Sequence, residues 1–226
     1  MKKELKSVWI ISKYGSTKKY GVSSKPYRTA KYLSENGINT YLISSDSNHL
    51  AEYPKSEYRY NWEKEGELNH IWIKTLKYKR SASIKRILSW FAFEWHLFRI
   101  DKRKLQRPDT VIISSLSLLT ILYGLYIKKI YKSKLVFEIR DIYPLTFTEE
   151  LGVSSYNPIV LFFNIIERVG YKESDIIVGT MPNLTSHVKN VLGYEKKVFF
   201  SPLGINDNWD LMQVPSKRVD ELFPDH

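Results

Sequence analysis

An acidic and a basic side chain stand next to each other in the segment Glu138 to Pro144 (EIRDIYP). The apolar run before it, Leu135 to Ile139, has the β-branched and aromatic composition of a buried parallel strand. Ligands of open parallel α/β sheets bind beyond the carboxyl ends of the strands. Arg140 and Asp141 can therefore present a guanidinium and a carboxylate to a sugar or a phosphate. A structural ion pair at the strand end is the alternative.

A loop rich in glycine, hydroxyl and lysine side chains runs from Ser12 to Ser24, after the apolar run Val8 to Ile11. Its backbone amides and the N-terminus of the following helix can receive an anionic group such as pyrophosphate. The glycine spacing fits neither GxGxxG nor GxxxxGK[ST], which disfavours a standard dinucleotide or P-loop site. A basic surface loop without a ligand is the alternative.

A hydroxyl residue, Thr180, follows the apolar run Ile176 to Val178. We expect it to cap the next helix, with a ligand contact as the alternative. That helix is predicted to hold Pro182 in its first turn and to end at Gly193.

Aromatic side chains alternate with basic clusters between Lys77 and Arg107. The apolar part is too short and too interrupted to span a bilayer, which needs about 20 residues, and a helix lying in the membrane interface fits better. The alternative is a crossover helix whose aromatics pack on the sheet. The predicted membrane contacts are Lys85, Arg86, Trp90, Phe91, Trp95, Lys102 and Arg103.

Composition restricts the class of protein. The chain has 226 residues, no cysteine, and 35 Lys and Arg against 24 Asp and Glu, for a net charge of +11. We expect one compact cytosolic domain with anionic partners, because the sequence shows no disulfide framework and no secretory signal. The histidines have no metal-ligand spacing, so neither a metal site nor a cofactor is predicted.

Seven short apolar runs alternate with segments of helical period, which predicts a doubly wound, mainly parallel α/β sheet of Rossmann type. A helix is predicted from Ser24 to Asn36, and another opens at Asn157-Pro158. The charged and aromatic stretch from Asn48 to Asn69 shows little periodicity and is expected to be a long surface excursion.

Four segments, in this order, carry a family resemblance: Val8 to Ile43, Pro108 to Ser115, Val136 to Pro144, and Ser174 to Asn206. Together they resemble the N-terminal, acceptor-side domain of GT-B, family 4 type bacterial glycosyltransferases, L-fucosamine transferase-like proteins among them. The third segment is the most specific, because it is similar to the RDLWP signature of that family.

The resemblance implies transfer of a sugar from a nucleotide-sugar donor, without metal and with retention of anomeric configuration. It places Asp141 near the reacting sugar, where it can orient the acceptor hydroxyl or stabilise developing positive charge, and Arg140 beside it. It also places the loop from Gly15 to Val22 near the donor phosphates and the acceptor. The predicted substrate-binding residues are Gly15, Ser16, Tyr20, Gly21, Val22, Tyr143 and Thr180.

Family members that use polyprenyl-diphosphate-linked sugars dock on the cytoplasmic face of the cell membrane, in agreement with the basic and aromatic helix. The resemblance therefore implies O-antigen or capsule assembly by a peripheral protein on an anionic membrane surface. Nucleic acid is disfavoured as a partner, because the densest basic clusters bracket a Trp- and Phe-rich helix.

The expected organisation is a Rossmann-like domain over residues 1–206 and an interdomain linker or tail over 207–226. The donor domain of the family has no counterpart in this sequence. We expect the chain alone to be inactive or nearly so, with the donor half missing or supplied by a partner chain. The alternative is a non-catalytic, membrane-targeting or binding subunit of a split glycosyltransferase.

Overall fold

One mainly parallel sheet organises the protein. The computed structural model describes residues 6–21, 23–47, 54, 56–78, 84–150 and 152–202. Over these ranges eight strands pair in the order β3-β4-β2-β1-β5-β6-β7-β8. The strands are β1 (Ser7–Ile11), β2 (Asn39–Ser45), β3 (Tyr60–Glu65), β4 (Leu68–Ile73), β5 (Thr110–Ser114), β6 (Lys134–Ile139), β7 (Ile176–Gly179) and β8 (Val198–Phe200). Only the β3–β4 pair is antiparallel.

Helices connect the parallel strands. They are α1 (Lys25–Glu35), α2 (Ile84–Phe98), α3 (Thr120–Tyr131), α4 (Tyr143–Leu145, continuing into a π-helical turn at Thr146–Glu150), α5 (Pro158–Glu173) and α6 (Leu184–Leu192). The predicted signals hold at several ends. Asn157 caps α5 by accepting a hydrogen bond from the Ile159 N–H at 2.9 Å, and Gly193 ends α6 with φ +81°.

The two faces of the sheet carry different helices. Tyr27 and Ala30 of α1 pack on one face, against Val8 and Ile10 of β1. Apolar side chains of α2, α3, α5 and α6 pack on the other face, in a core that contains Trp9 and most strands. This division follows from right-handed crossovers, because β1 to β2 runs in one direction across the sheet and β5 to β8 runs in the other.

The doubly wound α/β prediction is confirmed, and each of the seven apolar runs lies on a strand. The surface excursion predicted from Asn48 to Asn69 is wrong over its described part, which contains β3 and the start of β4. Gly66, with φ +57°, makes the tight turn between them. The sequence concealed β3 because this edge strand is largely solvated and has polar side chains on both faces.

The direction in which strands are added across the sheet reverses at β1, since β2 and β5 lie on its two sides. The carboxyl ends of the parallel strands meet along one edge there, which is the usual ligand-binding crevice of a doubly wound sheet. The loops after β1, β5, β6 and β7 all belong to this edge, and they contain the predicted substrate-binding and catalytic residues.

Candidate functional site at the carboxyl edge of the sheet

The Arg140–Asp141 turn is held by one buried hydroxyl. The Ser115 Oγ accepts hydrogen bonds from the Arg140 N–H at 2.8 Å and the Asp141 N–H at 3.3 Å. It donates to the Asp141 carbonyl oxygen at 3.2 Å. Ser115 is buried, whereas the Asp141 side chain is exposed and the Arg140 side chain is half-exposed. The backbone is thereby fixed while both charged side chains stay accessible to a ligand.

A second contact joins the two predicted loops. The Lys25 Nζ, in the first turn of α1, lies 3.0 Å from Glu138 Oε1 of β6, and the two side chains are 13% and 10% exposed. The same ammonium donates to the Ser201 carbonyl oxygen at 2.9 Å and to the Ser201 Oγ at 3.1 Å. Lys25 therefore connects the end of the β1 loop to β6, the strand that precedes Arg140.

The loop after β1 packs closely on β2. A Cβ added at Gly15 would lie 2.2 Å from the Ser44 Oγ and 3.2 Å from the Ser12 carbonyl oxygen, so a larger residue there would displace the Ser44 side chain. The Ser24 Oγ accepts a hydrogen bond from the Ser16 N–H and donates to the Ser16 carbonyl oxygen, each at 2.9 Å. The buried Ser16 is therefore anchored to the N-cap residue of α1, and Gly15 acts through close packing.

The later part of this loop points elsewhere. The Tyr20 hydroxyl donates to Glu63 Oε1 at 2.7 Å, and its ring meets Trp72 edge-on at 5.3 Å. Tyr20 thus faces the β3–β4 hairpin and is not brought to the Arg140–Asp141 turn. Gly21 ends the turn with φ +90°, and Val22 lies outside the described residues.

Thr180 does not cap α6. Asn183 takes the N-cap position, and Pro182 precedes the helix, so both predictions about this helix start are wrong. The turn formed by the Leu184 N–H donating to the Met181 carbonyl oxygen separates β7 from the helix. Thr180 instead lies beside β6, where its N–H donates to the carbonyl oxygen at the end of that strand at 3.3 Å. Tyr143 lies in α4, and its side chain is not described.

A buried carboxyl on α2 faces the start of α3, at the same edge. Glu94 is 8% exposed and accepts hydrogen bonds from the hydroxyls of Ser117, at 2.9 Å, and Thr120. Burial raises its pKa to about 7, although both hydrogen bonds and the nearby Lys13 act in the opposite direction. Glu94 was not predictable as a site residue, because nothing in a helical sequence pattern distinguishes a buried glutamate from an exposed one.

The aromatic side chains of α2 are divided between the side that meets the sheet and the side that faces solvent. Phe91 and Trp95 are each 57% exposed, whereas Phe93 is fully buried. Trp90 packs against the core, and its indole N–H donates to the Tyr14 hydroxyl at 2.7 Å. Trp90 is thus partly buried and lies about 100° around the helix from Phe91, and its assignment as a membrane contact stays a prediction.

The predicted basic contacts flank α2. Lys85 is exposed, and the Arg86 side chain lies outside the description. The Lys102 Nζ donates to the Phe98 carbonyl oxygen at 3.3 Å, and the exposed Arg103 pairs with Asp101 at 2.9 Å. Among the described residues, none of the helices is long and apolar enough to cross a membrane. Nor, in the same part of the chain, do three metal-ligating side chains come together.

Comparison with known proteins gives the fold. The chain matches no protein-family model and no curated protein sequence. Its structure is similar to the sucrose-phosphate synthase from Thermosynechococcus elongatus (TM-score 0.63, 10% identity, 89% of this chain and 49% of that one). It also resembles LpCGTa in complex with UDP (TM-score 0.53, 10% identity, 90% and 54%). A third is the E. coli trehalose-6-phosphate synthase bound with UDP-2-fluoro glucose (TM-score 0.50, 8% identity, 88% and 49%).

The chain thus spans about half the length of these structures. All three are GT-B glycosyltransferases, and the shared part is a Rossmann-like domain. The chain has the fold of one half of a GT-B glycosyltransferase.

Proposed function

We propose that this chain is the acceptor-binding half of a nucleotide-sugar-dependent glycosyltransferase. The observation that carries the proposal is the Arg140–Asp141 turn, held by Ser115 at the carboxyl edge of a GT-B half-fold. A fixed backbone with two accessible charges suits the positioning of a reacting hydroxyl, which contributes to catalysis without any covalent step by the protein.

In this proposal Asp141 accepts a hydrogen bond from the acceptor hydroxyl and orients it, or stabilises positive charge that develops on the donor sugar. Arg140 binds phosphate or sugar oxygens beside it. Ser16 and the neighbouring backbone of the β1 loop form the opposite wall. Lys25 is a positioning residue, because it fixes the end of that loop relative to β6.

The donor is proposed to be a nucleotide sugar. Two of the similar structures hold UDP or a UDP-sugar analogue, and this chain spans about half of each. We propose that most nucleotide contacts come from a second GT-B domain, on the same polypeptide or on a partner chain. The 226 residues alone are then inactive or nearly so, with residues 1–206 as the acceptor domain.

The acceptor is proposed to be a polyprenyl-diphosphate-linked sugar of surface polysaccharide assembly, such as O-antigen or capsule, at the inner face of the cell membrane. Exposed Phe91 and Trp95, on the same helix as the exposed Lys85, support an anionic membrane surface as the partner. The second candidate function is that of a non-catalytic, membrane-targeting subunit of a split glycosyltransferase. The exposed aromatic side chains of α2 favour it equally, and it requires no acceptor binding.

Calorimetric titration with a short-chain, water-soluble prenyl-diphosphate monosaccharide separates the two candidates. We expect saturable binding by the wild-type chain and a loss of at least about tenfold in affinity for Asp141→Asn or Arg140→Gln, because each change removes a charge-assisted hydrogen bond. Asp101→Asn is the matched control, a partly exposed carboxylate after α2. Absence of acceptor binding by the wild type would favour the targeting subunit.

A further inference from the structure

The first two turns of α5 present an apolar surface that the sequence did not reveal as exposed. Ile159 is 59% exposed, Leu161 46%, Phe162 48% and Ile165 61%. The opposite side of the helix packs in the core through residues such as Phe163. Apolar side chains thus surround the start of α5 on both sides, which is unusual for a helix that only covers a sheet.

The same outer surface continues over α2. Leu88, Phe91, Trp95 and Phe98 are between 41% and 57% exposed, and their spacing of three, four and three residues places them along one side of the helix. The Arg99 guanidinium lies 3.9 Å from the centre of the Trp95 ring, so an indole and a cation stand together at the end of this row.

The intervening helix α3 joins the other two. Its outer residues Leu122, Tyr126 and Ile130 are 37% to 43% exposed. The Phe98 ring of α2 lies 5.7 Å from the Tyr126 ring, and α3 packs against α5 on its other side. We name the outer surfaces of α2, α3 and the first two turns of α5 the three-helix face.

The helices of this face carry more exposed cations than exposed carboxylates, although the exposed Glu149 lies in the turn before α5 and the partly exposed Asp101 follows α2. Of the carboxylates on the described parts of α2, α3 and α5, Glu94 and Glu167 are buried, and only Glu173, at the far end of α5, is exposed. Exposed cations occur on all three helices, including Lys85, Lys129 and Arg168. An apolar surface with an excess of basic side chains on its helices is complementary to anionic phospholipid, which attracts each basic residue near its surface.

The direction of the helices relates this face to the site. In a parallel sheet each crossover helix runs antiparallel to the strands, so α2, α3 and α5 all begin at the carboxyl edge. The exposed apolar part of α5 is its beginning, and it therefore lies at the edge that carries Asp141. Contact of this end with a bilayer would bring the site next to the headgroup region.

We propose that the three-helix face docks on an anionic phospholipid bilayer, with the first two turns of α5 as the main inserting element and α2 as the second. This proposal rests on the proposed function, which includes an anionic membrane as partner. It adds which surface contacts the membrane, and it orients the carboxyl edge of the sheet toward the lipid headgroups. A lipid-linked sugar could then be taken from the bilayer without leaving it.

Co-sedimentation of the full chain with vesicles tests the proposal. We expect binding to phosphatidylcholine vesicles containing phosphatidylglycerol, and at least about tenfold weaker binding when Ile159, Phe162 and Ile165 are all changed to Ser. These side chains are exposed, so the fold should be retained, and circular dichroism checks this. Tyr32→Ser is the matched control, because Tyr32 is 66% exposed on α1, which covers the opposite face of the sheet.

Depth of insertion gives a second readout. Because the chain has no cysteine, Phe162→Cys and Tyr32→Cys variants each accept one fluorophore. Brominated lipid acyl chains should quench the label at position 162 and leave that at 32 unquenched. Failure of the wild type to bind anionic vesicles, or binding by the triple variant that matches the wild type, would overturn the proposal. Acceptor affinity is measured without vesicles, so it can fail or succeed independently.

Discussion

Glu94→Gln should change how the stability of this protein depends on pH. Burial raises the pKa of Glu94 from its ordinary 4.5 to about 7 in the folded protein. The folded state therefore binds a proton that the unfolded state releases between these two values. The contribution of Glu94 to the free energy of unfolding has its full value at pH values below the unfolded-state pKa. It is lost as the pH rises through the folded-state pKa. A pKa difference of this size corresponds to about 3 kcal/mol, since one unit is 1.36 kcal/mol.

Urea unfolding of the wild type and of Glu94→Gln at several values between pH 4.5 and pH 8 measures this effect. The glutamine variant lacks the titration, so the stability of the wild type relative to it should fall by about 3 kcal/mol across the interval. Glu173→Gln, at an exposed carboxyl on α5, is the matched control. A difference in stability between wild type and Glu94→Gln that stays constant with pH would refute the assignment of a buried, proton-binding carboxyl on α2.

Two further changes test the packing of the site edge, both by urea unfolding. Gly179→Ala should lower the free energy of unfolding by about 1–3 kcal/mol, because the new Cβ would lie 2.0 Å from the Leu184 Cδ2 inside the core. In a protein that already carries Leu184→Ala, the same change at Gly179 should cost less, because the clashing atom is gone. Lys25→Met should cost about 3 kcal/mol, because it leaves the buried Glu138 carboxylate unpaired, whereas Lys31→Met, at an exposed pair, should cost less than about 1 kcal/mol. Equal effects at the two lysines would contradict the role given to Lys25.

Much of the fold was predictable because the central strands are buried on both faces. Runs such as Val111 to Ile113 consist of β-branched residues throughout, and the helices between them have clear ends at Gly37 and Gly193. The edge strand β3 was missed because its side chains are polar and solvated. β3 is recognised by its pairing with β4 and by the turn at Gly66. It could not be predicted because pairing between strands is not visible in the local sequence of one strand.

The site was predictable to the level of loops but not of contacts. The position of Arg140 and Asp141 after a buried strand was enough to place them at the carboxyl edge. Their support by Ser115 is a contact across 25 residues of sequence. The sequence does show that Ser115 is a hydroxyl residue directly after β5, and that position was the available indication of this contact. Likewise, the burial of Phe93 depends on which side of α2 meets the sheet, and a helix with apolar residues on all sides does not show this in its sequence.

Amide hydrogen exchange with and without the short-chain prenyl-diphosphate monosaccharide tests the central claim most directly, because it shows where the acceptor binds. We predict slower exchange in two separate segments, Ser12 to Ser16 after β1 and Ile139 to Ile142 after β6, and no such change with Asp141→Asn at the same ligand concentration. Protection confined to other parts of the chain, or none at saturating ligand, would contradict an acceptor site at the carboxyl edge of this GT-B half.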